Sequence, residues 1–266
     1  MLVTREWPPV LPADGAADAA APVAVLVHGV TGWHRTWWRV APALAAHGWR
    51  VVAVDQRGHG HSPRIDGIVT IRDFASDLEA TIAAMGDPID LLLGHSLGGV
   101  VAVELAVARP DLVRRLVLED PPTISRAVDV AWLDNLEREL AAATEDFDGE
   151  VARTRELNPI WLEEDARQDV EGKTLADGRG LVDSFRADVG ARVLDRLTRL
   201  EVPTLLILAA EGRSVFTADA RQQLSGRLPD GVRQVVIDAG HTIHRDRFDE
   251  YVATILDWSG GPSASS

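Results

Sequence analysis

Short, largely apolar runs recur along the chain, and stretches with helical spacing separate them. Each run has the length of a β-strand buried on both faces. The runs lie at residues 23–27, 50–54, 89–93, 113–118, 204–208 and 232–237. The helical stretches lie at residues 36–46, 71–85, 100–108, 218–228 and 248–258. This alternation predicts an α/β fold with a mostly parallel central sheet and helices on both faces.

One segment interrupts the alternation. Residues 123–200 are rich in charge and contain no strand-like run. Helical spacing recurs instead near residues 130–142, 148–156 and 161–170. We predict a helical cap at 123–200, inserted into a core domain of residues 1–122 and 201–259. The composition of residues 8–22, rich in Pro, Ala, Gly and Asp, predicts a loop with little order of its own. The Gly, Ser and Pro of residues 260–266 predict a disordered tail.

Composition narrows the setting of this fold. The chain has 266 residues, 46% of them hydrophobic, which is enough to bury one large core. Its net charge of −14 argues against nucleic acid or an anionic membrane as a partner. It has no cysteine, which excludes a disulfide and a thiolate nucleophile. Because it shows neither a secretory signal nor an apolar run of ~20 residues, we expect a cytoplasmic protein without a membrane span.

The segment Gly94-His95-Ser96-Leu97-Gly98 is the most specific chemical motif in the chain. It has the G-x-S-x-G spacing of a nucleophile elbow, and it lies between a predicted strand and a predicted helix, as that motif requires. A serine at so sharp a turn has a strained backbone, and glycines let the flanking chain approach closely. Ser96 is therefore the candidate nucleophile. The backbone N–H of Leu97, at the start of the helix, is a candidate oxyanion donor.

Two further segments can serve a nucleophilic serine. His28 and Gly29 directly follow the first predicted strand, where the backbone N–H of Val30 can supply a second oxyanion donor. His241 lies in a tight glycine-containing loop after the last predicted strand, where open α/β sheets place their chemistry. His241 is therefore the candidate general base, with His244 as the alternative.

A compact polar loop at residues 55–62 follows the second predicted strand. Asp55 and Arg57 can form a charge-assisted pair that braces this loop. His59 and His61 are two nearby histidines that could be taken for metal ligands, but their spacing offers no clear set of carboxylate or cysteine partners. We therefore predict no metal site.

In their order along the chain, these motifs resemble the α/β-hydrolase superfamily. The resemblance rests on His28-Gly29, the loop at 55–62, Gly-His-Ser-Leu-Gly-Gly at 94–99 and Gly240-His241. It covers nearly the whole chain except the cap, and it implies a triad of serine, acid and histidine in that chain order. A serine in the elbow also sets this chain apart from haloalkane dehalogenases and epoxide hydrolases, relatives that carry aspartate there.

The acid of the implied triad departs from the commonest family pattern. Most members place an aspartate after the penultimate strand, but residues 208–214 hold Glu211 as their only carboxylate. A minority take the acid from the end of the strand that follows the elbow helix, as zearalenone-type lactonases do. Here that strand ends at Glu119 and Asp120. We therefore predict Asp120 as the triad acid, with Glu211 as the alternative and Glu119 as a more distant candidate.

The resemblance implies a serine hydrolase that cleaves a carboxylic ester or lactone through an acyl-enzyme, with no metal or organic cofactor. Hydrolysis of a C–C bond, acyl transfer and cofactor-free perhydrolysis use the same triad and stay open, as does a non-catalytic binding protein. The expected partner is a small-molecule ester or lactone, and monomer and homodimer are both open. Trp33, Trp132 and Trp161 are candidates for an aromatic substrate pocket, with core packing as the alternative.

Overall fold

A seven-stranded sheet organises the described part of the chain. The computed structural model describes residues 1–10, 21–86, 88–123, 130–187 and 193–260. The strands are β1 (Val3–Trp7), β2 (Val23–Val27), β3 (Arg50–Asp55), β4 (Leu91–His95), β5 (Leu116–Glu119), β6 (Thr204–Leu208) and β7 (Val232–Val236). They lie in the order β1-β3-β2-β4-β5-β6-β7, and every neighbouring pair is parallel except β1 with β3. The carboxyl ends of β2 to β7 therefore share one edge of the sheet.

Helices surround this sheet. Within the described ranges they are α1 (Val40–Ala46), α2 (Ile71–Ala83), α3 (Leu97–Ala108), α4 (Val130–Glu145), α5 (Phe147–Leu157), α6 (Glu163–Leu175), α7 (Gly178–Ala187), α8 (Val193–Leu197), α9 (Ala218–Leu224), α10 (Ile243–Asp246) and α11 (Phe248–Ser259). Short 3₁₀ helices at His34–Trp37 and Pro110–Leu112 precede α1 and β5. No helix in these ranges is both long enough and apolar enough to cross a membrane.

Alternate residues of the central strands enter two hydrophobic cores. In β2, Val25 and Val27 pack with residues of α2, α3 and α9 on one face. Ala24 and Leu26 pack with residues of α1 and α11 on the other face. A strand covered on both faces has to be apolar at successive positions, which is why its sequence shows a continuous apolar run. The predicted α/β fold, with a mostly parallel sheet and helices on both faces, is confirmed.

The sequence pattern missed β1. Its residues read Val-Thr-Arg-Glu-Trp, and the first four are exposed, because β1 lies at the edge of the sheet beside β3. An edge strand needs no continuous apolar run, so its sequence looks like that of a polar segment. Two helix predictions also differ from the structure. The stretch 36–46 divides into a 3₁₀ helix and α1, and the helix predicted at 218–228 ends at Leu224.

The predicted pair of Asp55 and Arg57 is wrong. Arg57 donates from Nε and Nη2 to the two carboxylate oxygens of Asp77 in α2, each at 2.6 Å. Asp55 is fully buried and accepts from the backbone N–H groups of His34 at 2.6 Å and His61 at 3.0 Å. A buried carboxylate is well satisfied by fixed backbone donors, whereas the longer Arg57 stays near the surface, where Asp77 offers both oxygens to its fork.

Five helices, α4 to α8, make up the described part of residues 123–200, which contains no strand. The helices α4 and α7 share a small apolar core, and α4, α5 and α6 share a second. Helix α8 packs against the main core instead, through Val193 and Leu197. We call α4 to α7 the insertion. Residues 11–20, in the predicted loop, and residues 261–266, in the predicted tail, lie outside the described residues.

Candidate active site

Ser96 stands at the turn between β4 and α3 with a backbone φ of 51°, in a region that favours glycine. The motif glycines make this turn possible. A Cβ on Gly94 would lie 2.3 Å from the carbonyl oxygen of Gly98, and a Cβ on Gly98 would lie 2.2 Å from that of Val27. Both obstacles are backbone atoms, which cannot rotate away as a side chain can. The tight turn therefore holds Ser96 at the carboxyl edge of the sheet.

Asp120 and His241 meet at the same edge. Asp120 directly follows β5, His241 lies in the loop after β7, and Nδ1 of His241 is 2.8 Å from Oδ2 of Asp120. Three other donors reach the Asp120 carboxylate: the hydroxyl of Ser214 and the backbone N–H groups of Ala209 and Val215. A carboxylate with this many donors is held in one orientation as an anion.

These contacts outweigh the burial of the Asp120 carboxylate. Burial alone raises the pKa of Asp120. Hydrogen bonds from His241, Ser214 and Val215 lower the pKa by more than burial raises it, so the pKa lies below its ordinary value. The ionised carboxylate accepts the proton on Nδ1 of His241, which leaves Nε2 as the basic nitrogen. Glu211, the alternative acid, is exposed in the loop after β6, and no hydrogen bond joins it to His241 in the described structure.

The loop after β2 is fixed by a buried, neutral histidine. Burial lowers the pKa of His28 to about 3. Its Nδ1 donates to the carbonyl oxygen of Gly29 at 2.7 Å, and its Nε2 accepts from the backbone N–H of Gln56 at 3.0 Å. A neutral imidazole has one donor nitrogen and one acceptor nitrogen, and both nitrogens of His28 are used here. His28 therefore holds the Gly29 peptide in place.

The backbone N–H groups of Val30 and Leu97 make no hydrogen bond within the described residues. Leu97 begins α3, so its N–H has no acceptor inside the helix. The carbonyl of Val30 accepts from Nε2 of His59 at 2.6 Å, which fixes the orientation of the next peptide while the Val30 N–H stays unused. Val30 lines the cavity described below and Leu97 does not, and the role of the two N–H groups as oxyanion donors stays a prediction.

These elements enclose a cavity of about 120 Å³. Its lining comes from the loops after β2 and β7, the elbow, the 3₁₀ helix before α1, α6 and α10: Gly29, Val30, Thr31, Gly32, Thr36, His95, Ser96, Asp169, His241, Thr242 and Arg245. Ser96 and His241 thus face the same space. No hydrogen bond joins their side chains in the described structure, and catalytic hydrogen bonds of this kind often tighten only when substrate binds.

The three candidate tryptophans are absent from this lining. Trp33 is buried, and its Nε1 donates to the carbonyl oxygen of Gln168 in α6 at 3.3 Å. Trp161 is also buried, and its Nε1 donates to Asp246 in α10 at 2.7 Å. Trp132 lies on α4 with 40% of its surface exposed. The two buried tryptophans, Trp33 and Trp161, therefore pack between secondary-structure elements. A role for any of the three tryptophans in substrate binding stays a prediction.

A family model described as the alpha/beta hydrolase fold matches residues 22–248, which include β2 to β7 and every residue that lines the cavity. The chain belongs to the α/β-hydrolase family. Lipase LipV of Mycobacterium tuberculosis is 30% identical over 251 residues, which cover 89% of this chain and 93% of the lipase. The sn-1-specific diacylglycerol lipase ABHD11 of Mus musculus is 26% identical over 254 residues, 91% of this chain and 82% of that protein.

Solved structures show the same fold. The enol-lactonase from Burkholderia xenovorans LB400 has a TM-score of 0.74 and 22% identity, covering 97% of this chain and 95% of that one. The prediction that this chain is an α/β-hydrolase enzyme is therefore confirmed by the family match and by relatives that cover most of both chains.

This α/β-hydrolase holds a second buried pair beside the first, and the sequence did not reveal its arrangement. Glu119 accepts from the backbone N–H and from Nδ1 of His244, both at 2.9 Å, and Nδ1 of His95 lies 3.5 Å from its other oxygen. Burial raises the pKa of Glu119 and lowers the pKa of both histidines well below its ordinary value. The more distant candidate acid and the alternative base therefore contact each other. The spacing offered a hint, since Glu119 directly precedes Asp120 and His244 follows His241 by three residues.

Among the described residues of this α/β-hydrolase, two groups of side chains have ligand atoms close enough to share a metal ion. One is the buried cluster just described. In the other, Nδ1 of His34 lies 3.0 Å and Nδ1 of His61 lies 3.6 Å from the carboxylate of Asp55. The sequence argument against a metal near His61 assumed that no carboxylate accompanied it, and on that point it was wrong. Both oxygens of Asp55 already accept backbone N–H groups, which gives the carboxylate a structural role without a metal.

Acid is expected to destabilise this α/β-hydrolase below about pH 6.5. Burial lowers the pKa of four histidines: His28, His59, His95 and His244. Below the pKa of an unfolded histidine, the unfolded chain therefore binds more protons than the folded chain, and stability falls as the pH falls. For His28, with a folded pKa of about 3, the loss continues down to that pH, at up to about 1.4 kcal/mol per pH unit.

Urea denaturation between about pH 7.5 and about pH 5 checks this expectation. The raised pKa of Glu119 acts in the opposite direction, but it is one carboxyl group against four histidines. The exposed His47 supplies a control, because the variant His47→Gln is expected to keep the same slope of unfolding free energy against pH. A free energy of unfolding that does not change across this range would contradict the expectation.

Proposed function

We propose that this protein is a serine hydrolase that cleaves a carboxylic ester or a lactone through an acyl-enzyme intermediate. The observation that carries the proposal is the 2.8 Å contact between His241 and Asp120 beside the cavity that Ser96 also lines. A nucleophile, a base and an acid that orients the base are the groups that serine acyl transfer requires. The names of the relatives, a lipase and a diacylglycerol lipase, support the same class of bond.

In the first half of the proposed reaction, Oγ of Ser96 attacks the carbonyl carbon of the substrate. Nε2 of His241 takes the hydroxyl proton and passes it to the leaving alcohol, while anionic Asp120 stabilises the imidazolium through Nδ1. The N–H groups of Val30 and Leu97 stabilise the oxyanion of the tetrahedral intermediate.

In the second half, His241 takes a proton from water, and the resulting hydroxide attacks the acyl group on Ser96. The tetrahedral intermediate collapses, the proton returns to Oγ, and a carboxylic acid leaves. For a lactone, the leaving alcohol is part of the acyl group, so a single hydroxy acid is released.

The proposed role of the insertion is to cap the site and restrict the acyl group. Helix α6 contributes Asp169 to the lining, so the insertion forms one wall of the space beside Ser96. The cavity volume of about 120 Å³ is well below the ~300–1,000 Å³ of pockets for drug-sized ligands. We therefore expect short acyl groups to be preferred over long ones.

Covalent labelling by an organophosphonate probe tests the proposal, because the probe reacts with activated serines. We expect one adduct per chain, located at Ser96 by mass spectrometry of proteolytic peptides. A panel of short-chain esters and lactones should release the corresponding acids. An adduct at another serine, or no adduct together with no hydrolysis, would contradict the proposal.

A further inference from the structure

Arg245 is a buried cation in the wall of the cavity, and the proposed mechanism does not use it. It lies on α10, four residues after His241 in the sequence, and only 4% of its side chain is exposed. It lines the same cavity as Ser96 and His241. Arginine side chains are rarely buried unless their donors are paired, so each donor of this one has to be accounted for.

The guanidinium group of Arg245 is only partly paired. Its Nη1 donates to Oδ1 of Asp169 at 2.7 Å, and its plane lies over the ring of Trp161 at 4.5 Å. Nε is buried and has no hydrogen-bond partner, and no acceptor for Nη2 is found among the described residues. The edge formed by Nε and Nη2 is therefore unpaired within the described part of the chain.

This chain uses that same edge of arginine to hold carboxylates. Nε and Nη2 donate together to two oxygens of one carboxylate in the pairs Arg50–Glu6, Arg57–Asp77 and Arg196–Glu104. The two parallel donors match the spacing of carboxylate oxygens, a fit that lysine cannot reproduce. Unlike those three arginines, Arg245 lines the cavity.

Arg245 shares its carboxylate partner with a second cation. Asp169 is shared, because Nζ of the buried Lys173 lies 3.1 Å from its Oδ2 while Arg245 binds Oδ1. Among the described residues that line the cavity, Asp169 is the only carboxylate. Lys173 also lies 3.4 Å from Glu139 and 3.9 Å from Glu150, but neither of these carboxylates lines the cavity.

An arginine that only connects the core domain to the insertion does not have to be buried in the cavity wall. Arg35 makes such a link, since its guanidinium lies over the ring of Trp33 and its Nη2 donates to Glu164 of α6 at 3.0 Å. It does so with 46% of its side chain exposed, and it does not line the cavity. Arg245 makes the same two kinds of contact from a buried position beside the candidate nucleophile.

We propose that Arg245 binds a carboxylate carried by the substrate, so that the preferred substrates are small esters or lactones with a second, ionised carboxyl group. This inference rests on the proposed function of Ser96 and names its substrate class. The substrate carboxylate accepts from the guanidinium group of Arg245, while the ester carbonyl lies at Ser96 in the same cavity. Because Ser96 and Arg245 line the same cavity of about 120 Å³, we expect substrates with a few carbons between the two groups to fit best.

Matched pairs of substrates test this selectivity. Monomethyl succinate carries the anion, methyl levulinate replaces the carboxylate by a methyl ketone of similar size, and half-esters of malonate and glutarate vary the chain length. We expect kcat/KM of the wild-type protein to favour the best half-ester over its neutral partner by about 10-fold or more. Arg245→Gln should lower kcat/KM about 10- to 100-fold for the half-ester, but less than about 3-fold for the ketone ester.

Two further variants separate recognition of the anion from attachment of the insertion. Arg245→Lys keeps the charge without the fork and should recover only part of the preference. Arg35→Gln breaks the matched link outside the cavity and should leave the ratio between the two esters unchanged. If Arg245→Gln lowers kcat/KM for both esters equally, or if Arg35→Gln changes the ratio as much, the role of Arg245 is structural and the inference fails.

Binding without turnover keeps this inference distinguishable from the proposed function. In calorimetric titrations, succinate should bind the wild-type protein and bind Arg245→Gln about 10-fold more weakly or worse, while neutral succinamide should not show this difference. If succinate binding depends on Arg245 but no ester is hydrolysed, the carboxylate site stands and the proposed function fails. If Ser96 hydrolyses neutral esters with no preference for an anion and no binding that depends on Arg245, the proposed function stands and this inference is overturned.

Discussion

Ser96→Ala is expected to lower kcat by about 10³-fold or more while the protein stays folded. The substitution removes one hydroxyl, from a residue whose φ of 51° reflects strain at the turn and not a stabilising contact of the side chain. Without Oγ no acyl-enzyme can form, and the remaining rate comes from binding and the oxyanion donors alone. Steady-state kinetics with a short activated ester measure the loss, and circular dichroism monitors folding.

Ser259 offers a matched control. It is a buried serine at the end of α11 and does not line the cavity. Ser259→Ala should keep kcat within about 3-fold of the wild-type value, because it removes a buried hydroxyl that does not line the cavity. If Ser96→Ala retained full activity, Ser96 would not be the nucleophile, and the proposed reaction would have to be abandoned.

Asp120→Asn is expected to lower kcat by about 10²- to 10⁴-fold. The carboxylate of Asp120 accepts the Nδ1 proton of His241, and an asparagine that turns its amide nitrogen towards the ring would favour the opposite tautomer, in which Nε2 no longer accepts a proton from serine. Asparagine also offers one acceptor atom where aspartate offers two, so one of the donors at Ala209, Val215 or Ser214 loses its partner. The measurement is kcat, together with a thermal unfolding curve that separates lost chemistry from lost stability.

Glu211→Gln is the matched control for the acid. Glu211 is exposed on the loop after β6, so its substitution should change kcat by less than about 10-fold. A large loss in this variant beside a small loss in Asp120→Asn would assign the acid to Glu211. Equal, small losses in both would indicate that His241 acts without an oriented acid.

The sheet could be predicted because burial on both faces leaves a direct mark on the sequence. Val25 and Leu26 face different cores, so both have to be apolar. The resulting apolar run is visible in the sequence even when the strand order is not known. The edge strand β1 has no such requirement and left no such mark. The limits of the 3₁₀ helix before α1 depend on local turns that helical spacing does not report.

The proximity of Ser96 and His241 could be predicted because each follows the end of a strand, and both line one cavity, while their catalytic roles stay predictions. Partners could not be predicted where they come from distant elements. Arg57 pairs with Asp77 of α2, and Arg245 meets Asp169 of α6, which is 76 residues away. The contact between Asp120 and His241 also involves an unusual local backbone, since Asp120 has a φ of 42°, a value that the residue types do not reveal.

Lys173 is the only lysine in the sequence, and it is 8% exposed, with three carboxylates within 3.9 Å of its amine. Reagents that acylate amines therefore find no accessible lysine on the folded protein. The activated esters used to assay hydrolases usually also modify surface lysines, which gives a background of stable amides. Here an acyl group detected on the intact folded protein would report a hydroxyl adduct or the α-amino group. Intact-mass measurements could thus follow a slow substrate through a single turnover, whereas attachment to a sensor surface would need chemistry other than lysine coupling.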